Sequence, residues 1–246
     1  VYSGRTIRAA ISYETFVTKA YQGKGLFKRL IKAAEDEMKK QDISFFLNFP
    51  NSNSLPGFLK MGWTKLDIVE YWILVRNRIK VATSLKDLRE QFVATPYDEK
   101  LAISIPDVRL KYSGFRLNAT TDYLNWRFSS GFSYSYGLIR DELNTVIYRR
   151  GKRGKLKEAQ IVFCHIEGCD NKTNARVMHD FVSEIASREC VDIIGFPISK
   201  NNPIKKNLKM LRFIRVPTHT NCTYKLIDKE IQIDAICLSG VDFHTY

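Results

Sequence analysis

The sequence is short of cysteine, histidine, acidic residues and long apolar runs, and each shortage removes a class of protein. Its five cysteines (Cys164, Cys169, Cys190, Cys222 and Cys237) are an odd number without a CxxC pair. They read as reduced thiols, not as a disulfide framework. Four scattered histidines offer no zinc spacing, and Cys164 and His165, adjacent on a strand, point to opposite faces, so no metal is expected. No run approaches the ~20 apolar residues of a membrane span, and no signal peptide is visible, so a cytoplasmic location is expected. Acidic residues number 26 against 39 lysines and arginines, leaving a net charge of +13 over 246 residues. Such an excess favours anionic partners and disfavours a cationic acceptor. What the chain has in quantity is core-forming material: 44% of residues are hydrophobic and 12% aromatic, enough for two α/β lobes.

The most informative stretch is residues 17–31, Val-Thr-Lys-Ala-Tyr-Gln-Gly-Lys-Gly-Leu-Phe-Lys-Arg-Leu-Ile. A β-rich run ends at Val17, a glycine-spaced loop follows, and an amphipathic helix begins inside the loop. This layout aims several backbone N–H groups and the positive end of a helix dipole at one spot, which suits phosphate. Gly23 and Gly25 permit the tight turn and a close approach, and Lys24 adds charge. The G-x-x-x-x-G-K-[ST] spacing of a Walker loop is absent, and Lys28 stands where the dinucleotide fingerprint needs a third glycine. Leu26, Phe27, Leu30, Ile31, Ala34 and Met38 share one helical face, with Lys28, Arg29, Lys32, Glu35, Asp36 and Lys39 off it. Residues 43–49 read as a buried strand stopped by Pro50, residues 51–63 as a short capped helix closing on Gly62, and residues 64–75 as one further strand.

Gln22 and Gly25 fit the first two fixed positions of Q/R-x-x-G-x-G/A, the pyrophosphate loop of the GNAT N-acyltransferases, and Phe27 replaces the small residue of the third. The order strand, loop, helix, strand, short helix ending Gly-Trp, strand also resembles the GNAT core after its first three strands. The wording from Phe49-Pro50-Asn51 to Gly62-Trp63 resembles a branch found in bacterial surface-polysaccharide gene clusters. The resemblance covers residues 5–75 and implies acetyl-CoA, or another acyl-CoA, as cofactor. It further implies that the N–H groups of Gln22, Gly23, Lys24, Gly25, Leu26 and Phe27 hold the pyrophosphate. The strand edge at Phe16 and Val17 would pair with the pantetheine amides, the Val17 N–H lying near the thioester carbonyl. Asn53 or Ser54 would meet the pantetheine arm, with simple capping of the short helix by Asn51–Ser54 as the alternative or companion role. Many members place a tyrosine acid four residues before the glycine-aromatic pair, where this chain has Phe58. Glu14 is the nearest general-base candidate, with a solvent-facing strand carboxylate as the alternative. Asp242 and His244 form a second candidate cluster near the C-terminal residue. Trp126 and Arg127 resemble an element of two-lobed relatives, and Arg127 would bind an acceptor phosphate or carboxylate, or make a structural ion pair.

An internal echo accompanies these motifs. Asp42-Ile43, Phe49-Pro50, Pro56 and Leu59-Lys60-Met61 return as Asp192-Ile193, Phe196-Pro197, Pro203 and Leu208-Lys209-Met210, which argues for two related halves. Hairpin-like strands at residues 134–139, 145–149 and 159–165 precede a helix at 175–188. The basic run of residues 150–155 reads as a solvated turn, and no recognised nucleic-acid module is present, so nucleic acid is not an expected partner. Where the first half has its glycine loop, the second has Glu167, Gly168, Cys169 and Asp170, whose carboxylates would repel a pyrophosphate. One coenzyme site is therefore expected. The expected architecture is α/β, with two GNAT-like lobes, each a mixed, mostly antiparallel sheet flanked by helices. Residues 1–80 would be the C-terminal part of an acyl-CoA-binding lobe that enters at its fourth strand, and residues 81–246 a second lobe without the loop. The expected activity is acyl-CoA-dependent N-acyl transfer to an amino group, with a nucleotide-linked amino sugar as the expected acceptor. The alternatives are a non-catalytic binding protein or a tRNA-dependent aminoacyl transferase of the peptidoglycan-bridge type.

Overall fold

The strand-forming runs of the chain are dealt to two main sheets in an order that crosses between its halves. The computed structural model describes residues 6–12, 15–95, 115–116, 120–128, 134, 136–167, 170–218, 220–231, 233 and 236–240. The first half supplies β1 (Ala9–Ser12), α1 (Leu26–Lys39), β2 (Phe45–Asn48), α2 (Leu55–Lys60), β3 (Thr64–Lys65) and β4 (Val69–Val75). Next come α3 (Arg78–Thr83), β5 (Phe92–Ala94), β6 (Phe115–Arg116) and α4 (Thr121–Arg127). The antiparallel strands β7 (Tyr136–Arg140), β8 (Thr145–Arg153) and β9 (Leu156–His165) lead into α5 (Asn171–Glu189) and β10 (Ile193–Ser199). Then follow α6 (Lys205–Met210), β11 (Ile214–Val216), β12 (Thr223–Leu226) and β13 (Ile236–Cys237), the last pairing with β6.

The first main sheet runs β1-β2-β12-β3 and the second β11-β4-β10-β9-β8, with β5 and β7 both pairing to β8. Each is mixed and mostly antiparallel, with one parallel contact (β1 with β2, β9 with β10) bridged by a long helix. This is the expected α/β, two-lobed class.

The echo in the sequence corresponds to a structural repeat with an exchange built into it. The unit β1-α1-β2-α2-β3 recurs as β9-α5-β10-α6-β11. The strand that follows each unit leaves it: β4 inserts between β10 and β11, and β12 inserts between β2 and β3. Residues 64–75, expected as one strand, consequently break at residues 66–68, where the chain passes from the first sheet to the second. The chain-wise division expected at residue 80 falls within α3, and the sheets trade strands across it.

Buried charges fasten both exchanged strands. Lys225 on β12 reaches Glu35 on α1 at 2.6 Å, and the Trp63 indole N–H donates to the other carboxylate oxygen at 2.8 Å. Glu35 was expected on the solvated face. Instead α1 rests on the sheet through one narrow row, Phe27, Ile31, Glu35 and Met38, while Leu30 stays exposed. On β4, Glu70 accepts from the Trp72 indole at 3.0 Å and pairs with Lys205 at 2.9 Å and Arg215 at 3.1 Å. Burial pushes the Glu70 carboxyl up, but the Lys205 and Trp72 hydrogen bonds and the cationic charges outweigh it, so its pKa lies below the ordinary value. A depressed carboxylate contributes stability that is full above its unfolded pKa, about 4.3, and is lost as pH falls through the lower folded value. Thermal unfolding followed from about pH 6 downward should therefore show a steeper acid loss of Tm in the parent than in Glu70→Gln.

The basic run is also not a solvated turn. β8 extends to Arg153, and only Gly154 and Lys155 form the turn. Arg149 and Arg153 are buried, the first donating to Gln160 at 2.7 Å and the second to Glu158 at 2.8 Å.

Candidate functional site

In a parallel β1-α1-β2 unit the helix runs back against its strands, so its N-terminus lies at the carboxyl ends of both, the usual ligand position in such units. There the chain forms a short 3-10 turn at Lys19–Tyr21 and then the glycine loop. Gly23 and Gly25 adopt left-handed φ of +75° and +71°, and a Cβ placed on either would have no atom within 4 Å. The glycines are thus required by conformation, and the space above them is open. Gly25 caps α1 without a side-chain bond, and the first helical bond is Arg29 N–H to the Gly25 carbonyl at 3.2 Å. The amides of Leu26, Phe27 and Lys28 precede it and face the opening with the helix dipole behind them. The Gln22 carboxamide braces the loop by donating to the Val17 carbonyl at 3.0 Å, and the Lys24 ammonium lies 5.2 Å from the Tyr21 ring centroid.

The equivalent point of the second repeat is closed. Asp170 caps α5, its carboxylate accepting from the amides of Lys172 at 2.6 Å and Thr173 at 3.0 Å and from the Thr173 hydroxyl at 2.8 Å. Those bonds, the Thr173 ones foremost, hold the Asp170 pKa below its ordinary value. A side-chain anion caps α5, where α1 has no side-chain cap.

Phe27, the departure from the small-residue pattern, turns away from the mouth of the loop. It packs edge-on against Phe58, with centroids 5.3 Å apart, and lies over Gly57, where a Cβ would approach its ring to 3.0 Å. A large side chain at Gly57 must displace that ring. Gly57→Leu should cost about 1–3 kcal/mol in chemical denaturation, and Phe27→Ala in the same chain should recover part of it, a coupling that a double-mutant cycle measures. Phe58 is 2% exposed and wedged edge-on against Trp63 at 4.9 Å. It is core, with neither a donor nor a path to solvent.

Other expected site residues fall in several places. The ladder of β1 ends at Ser12, not Val17, so Phe16 (73% exposed) and Val17 lie beyond the pairing. Within the stretch 51–54 before α2 the capping group is Asn51: its Oδ1 accepts from the Asn53 amide at 3.0 Å, the Ser54 amide at 2.9 Å and the Ser54 hydroxyl at 3.1 Å. Trp126 and Arg127 sit on α4, which packs Leu124 and Phe128 onto the second sheet. Trp126 is 58% exposed beside Tyr123, whereas Arg127 is buried, its guanidinium 5.9 Å from the Phe128 ring centroid. Glu14, Asp242 and His244 lie outside the described residues, as do Gly168 and Cys169.

Sequence reading passed over a polar row on the first sheet. Ser12, Asn48 and Thr223 are register partners across β1, β2 and β12, and so share one face of the first sheet. It is the face that carries Phe46 and Lys225 toward α1. No local signal marks them, because the row exists only once β12 has crossed over.

Residues 5–71, which hold the loop, α1 and α2, match the model of the acetyltransferase (GNAT) domain. No curated protein matches the sequence. Among solved structures, the chain is similar to a GCN5-related N-acetyltransferase from Kribbella flavida, with 12% identity and a TM-score of 0.56 over 92% of this chain and 54% of that one. It is also similar to a conserved protein of unknown function, a probable N-acyltransferase, from Enterococcus faecalis V583 (11% identity, TM-score 0.58, 92% of this chain, 56% of that one). Eis1 from Mycobacterium abscessus is a third such structure (13% identity, TM-score 0.53, 92% of this chain, 58% of that one). At these identities the likeness is one of fold. The chain has the fold of the GNAT acetyltransferases, and its residues 5–71 match the model of that domain. It spans a little over half the length of the solved chains it matches.

Proposed function

We propose that the chain is the coenzyme-binding and supporting part of an acyl-CoA-dependent N-acyltransferase of the two-lobed kind, with one coenzyme site. The observation that carries this reading is the contrast between the two repeats: an uncapped helix on an open glycine pair in the first, and a helix closed by Asp170 in the second. The residues present suit a diphosphate, since consecutive amides converge on open space beside Lys24 and no carboxylate caps the helix. When bound, acetyl-CoA or another acyl-CoA supplies an activated acyl thioester.

The chain's own tasks are then positional and electrostatic. The amides from Gln22 to Phe27 bind the pyrophosphate and fix the register of the ligand. The backbone of Phe16 and Val17, free of the β1 ladder, is available to the pantetheine amides, and the Val17 N–H supports the carbonyl as charge develops on it. Glu14 takes the proton of the attacking ammonium. Phe58 cannot return a proton to the departing thiolate, which draws it from water or from another group. The acceptor under this reading is an amino group, and the surplus of +13 suits one linked to a nucleotide, as in amino-sugar precursors of surface polysaccharide. The setting is cytoplasmic; among the described residues no helix is long and apolar enough to cross a membrane.

Calorimetry with acetyl-CoA tests the reading, followed by a screen of nucleotide-linked amino sugars for thiol release. Micromolar binding with turnover supports it. Binding without turnover favours the non-catalytic alternative, for which the buried, donor-free Phe58 is the specific observation. No binding of the coenzyme overturns both.

A further inference from the structure

The two repeats differ once more, at the C-terminal ends of the exchanged strands. Where β4 leaves the second sheet, the amides of Arg76 and Asn77 both donate to the Asp192 carbonyl, at 2.9 and 3.0 Å. Where β12 leaves the first, the amides of Ile227 and Asp228 donate in the same way to the Ser44 carbonyl, at 3.0 and 2.9 Å. Arg76 therefore holds the position that Ile227 holds in the first repeat. Ile227 packs against the buried apolar cluster of Ile31, Ile43, Phe46, Phe58 and Trp63. In the second repeat the same corner is an open groove of about 680 Å³ between the start of α3 and the last turns of α5. Arg76, Arg78, Ser183 and Ser187 line it, with Ile79 and Val191 beside them, and among the described residues no acidic side chain does. Neither guanidinium is engaged in a hydrogen bond or an ion pair among the described residues, nor is either serine hydroxyl.

The carboxylates that flank the groove in sequence are already committed. Asp192 accepts from the Asn77 carboxamide at 3.2 Å and the Lys157 amide at 2.8 Å, and pairs with Lys80 at 2.5 Å. Glu189 pairs with Arg150 at 2.5 Å, and Glu184 pairs with Arg188. Arg76 and Arg78 thus present two uncompensated charges that no working pH removes. The fold does not require them, since an isoleucine serves at the Arg76 position in the first repeat. We propose that this groove binds a small molecule carrying a phosphomonoester. Two guanidinium forks match the oxygens of a phosphate, and the facing helix adds two hydroxyl donors. A phosphomonoester bears nearly two negative charges at neutral pH, which two arginines balance. The groove falls within the range of roughly 300–1,000 Å³ usual for small-molecule sites, far more than a phosphate fills. The ligand therefore has an organic body, for which Ile79 (82% exposed) and Val191 offer apolar surface. Because α5 ends at the groove, its negative dipole end opposes an anion there, and binding rests on the two full charges instead of on backbone amides. The site is on the second sheet and does not depend on the coenzyme reading.

The probes are phenyl phosphate and inorganic phosphate, each titrated into the full chain by calorimetry. Three variants stand beside the parent: Arg76→Gln with Arg78→Gln, Ser187→Glu, and Gly25→Glu at the glycine loop. Arg76, Arg78 and Ser187 are exposed, so the two groove variants should keep the parent's Tm. The parent is expected to bind phenyl phosphate more tightly than inorganic phosphate. The double arginine variant should bind phenyl phosphate at least about tenfold more weakly. Ser187→Glu keeps both arginines but sets a carboxylate beside them, and should lose as much. Gly25→Glu should bind phenyl phosphate as the parent does. Parent-like affinity in either groove variant overturns the inference. A loss confined to Gly25→Glu also overturns it, by placing the phosphate at the glycine loop. A parent that binds both probes equally has no place for an organic body, and one that binds neither at millimolar concentration has no such site; each result overturns the inference again.

Discussion

Replacing Gly25 by glutamate is expected to reduce acetyl-CoA affinity by at least about a hundredfold, read directly by calorimetry. Two effects add. A side chain at φ +71° is strained by roughly 1–2 kcal/mol, so the loop relaxes away from its geometry. Under the proposed coenzyme reading, the new carboxylate would also sit at the α1 amides that face the diphosphate, and would repel the ligand while capping the helix. The second repeat supplies the precedent, since Asp170 does this to α5. Gly25→Ala separates the two effects: with no atom within 4 Å of a Cβ there, only backbone strain remains, and a loss of about tenfold is expected. A Gly25→Glu protein that binds as well as the parent would place the coenzyme elsewhere.

Glu158→Ala should cost the fold about 3–5 kcal/mol, measured by urea denaturation. Glu158 and Arg153 are both buried and joined at 2.8 Å, with Arg153 4.3 Å from the Tyr71 ring centroid. The Tyr71 hydroxyl donates to Glu158 and accepts from Gln160 at 2.7 Å. Burial, and the Glu158 charge beside it, raise the Tyr71 pKa far above its ordinary value, so the phenol remains a donor throughout the working range. Removing Glu158 leaves a buried guanidinium without its carboxylate and a phenol without its acceptor. The double variant Glu158→Ala, Arg153→Met should recover much of the loss, because the charge that needed compensation is gone as well. If the single variant matches the parent in stability, the network contributes nothing measurable.

What could be read from the sequence was local. The glycine pair, the helix that starts on it and the echo at Asp192-Ile193 and Phe196-Pro197 are set by backbone conformation and by side-chain period, both visible within a short window. The strand exchange is not local. Residues 64–75 form one apolar run, and nothing in that run says that Thr64 pairs with Tyr224 while Tyr71 pairs with Pro197 and Val216. Two misreadings have this origin. Glu35 looks solvated until Lys225 arrives beside it, and Asn48 is an unremarkable strand residue until Thr223 becomes its neighbour. Arg153 reads as part of a charged turn, whereas β8 carries it inward to a partner on β9.

The reciprocal loan of β4 and β12 makes the two repeats inseparable in a specific sense. Deleting the second repeat would remove the strand on which β3 depends and leave β2 with a bare edge. Deleting the first would part β10 from β11. A cut through the connection between β4 and β7, by contrast, would sever the chain without freeing either piece, since each would still hold a strand of the other. A repeat whose own long helix is closed by Asp170 can thus be retained as a lender, kept for the strand it supplies to its twin.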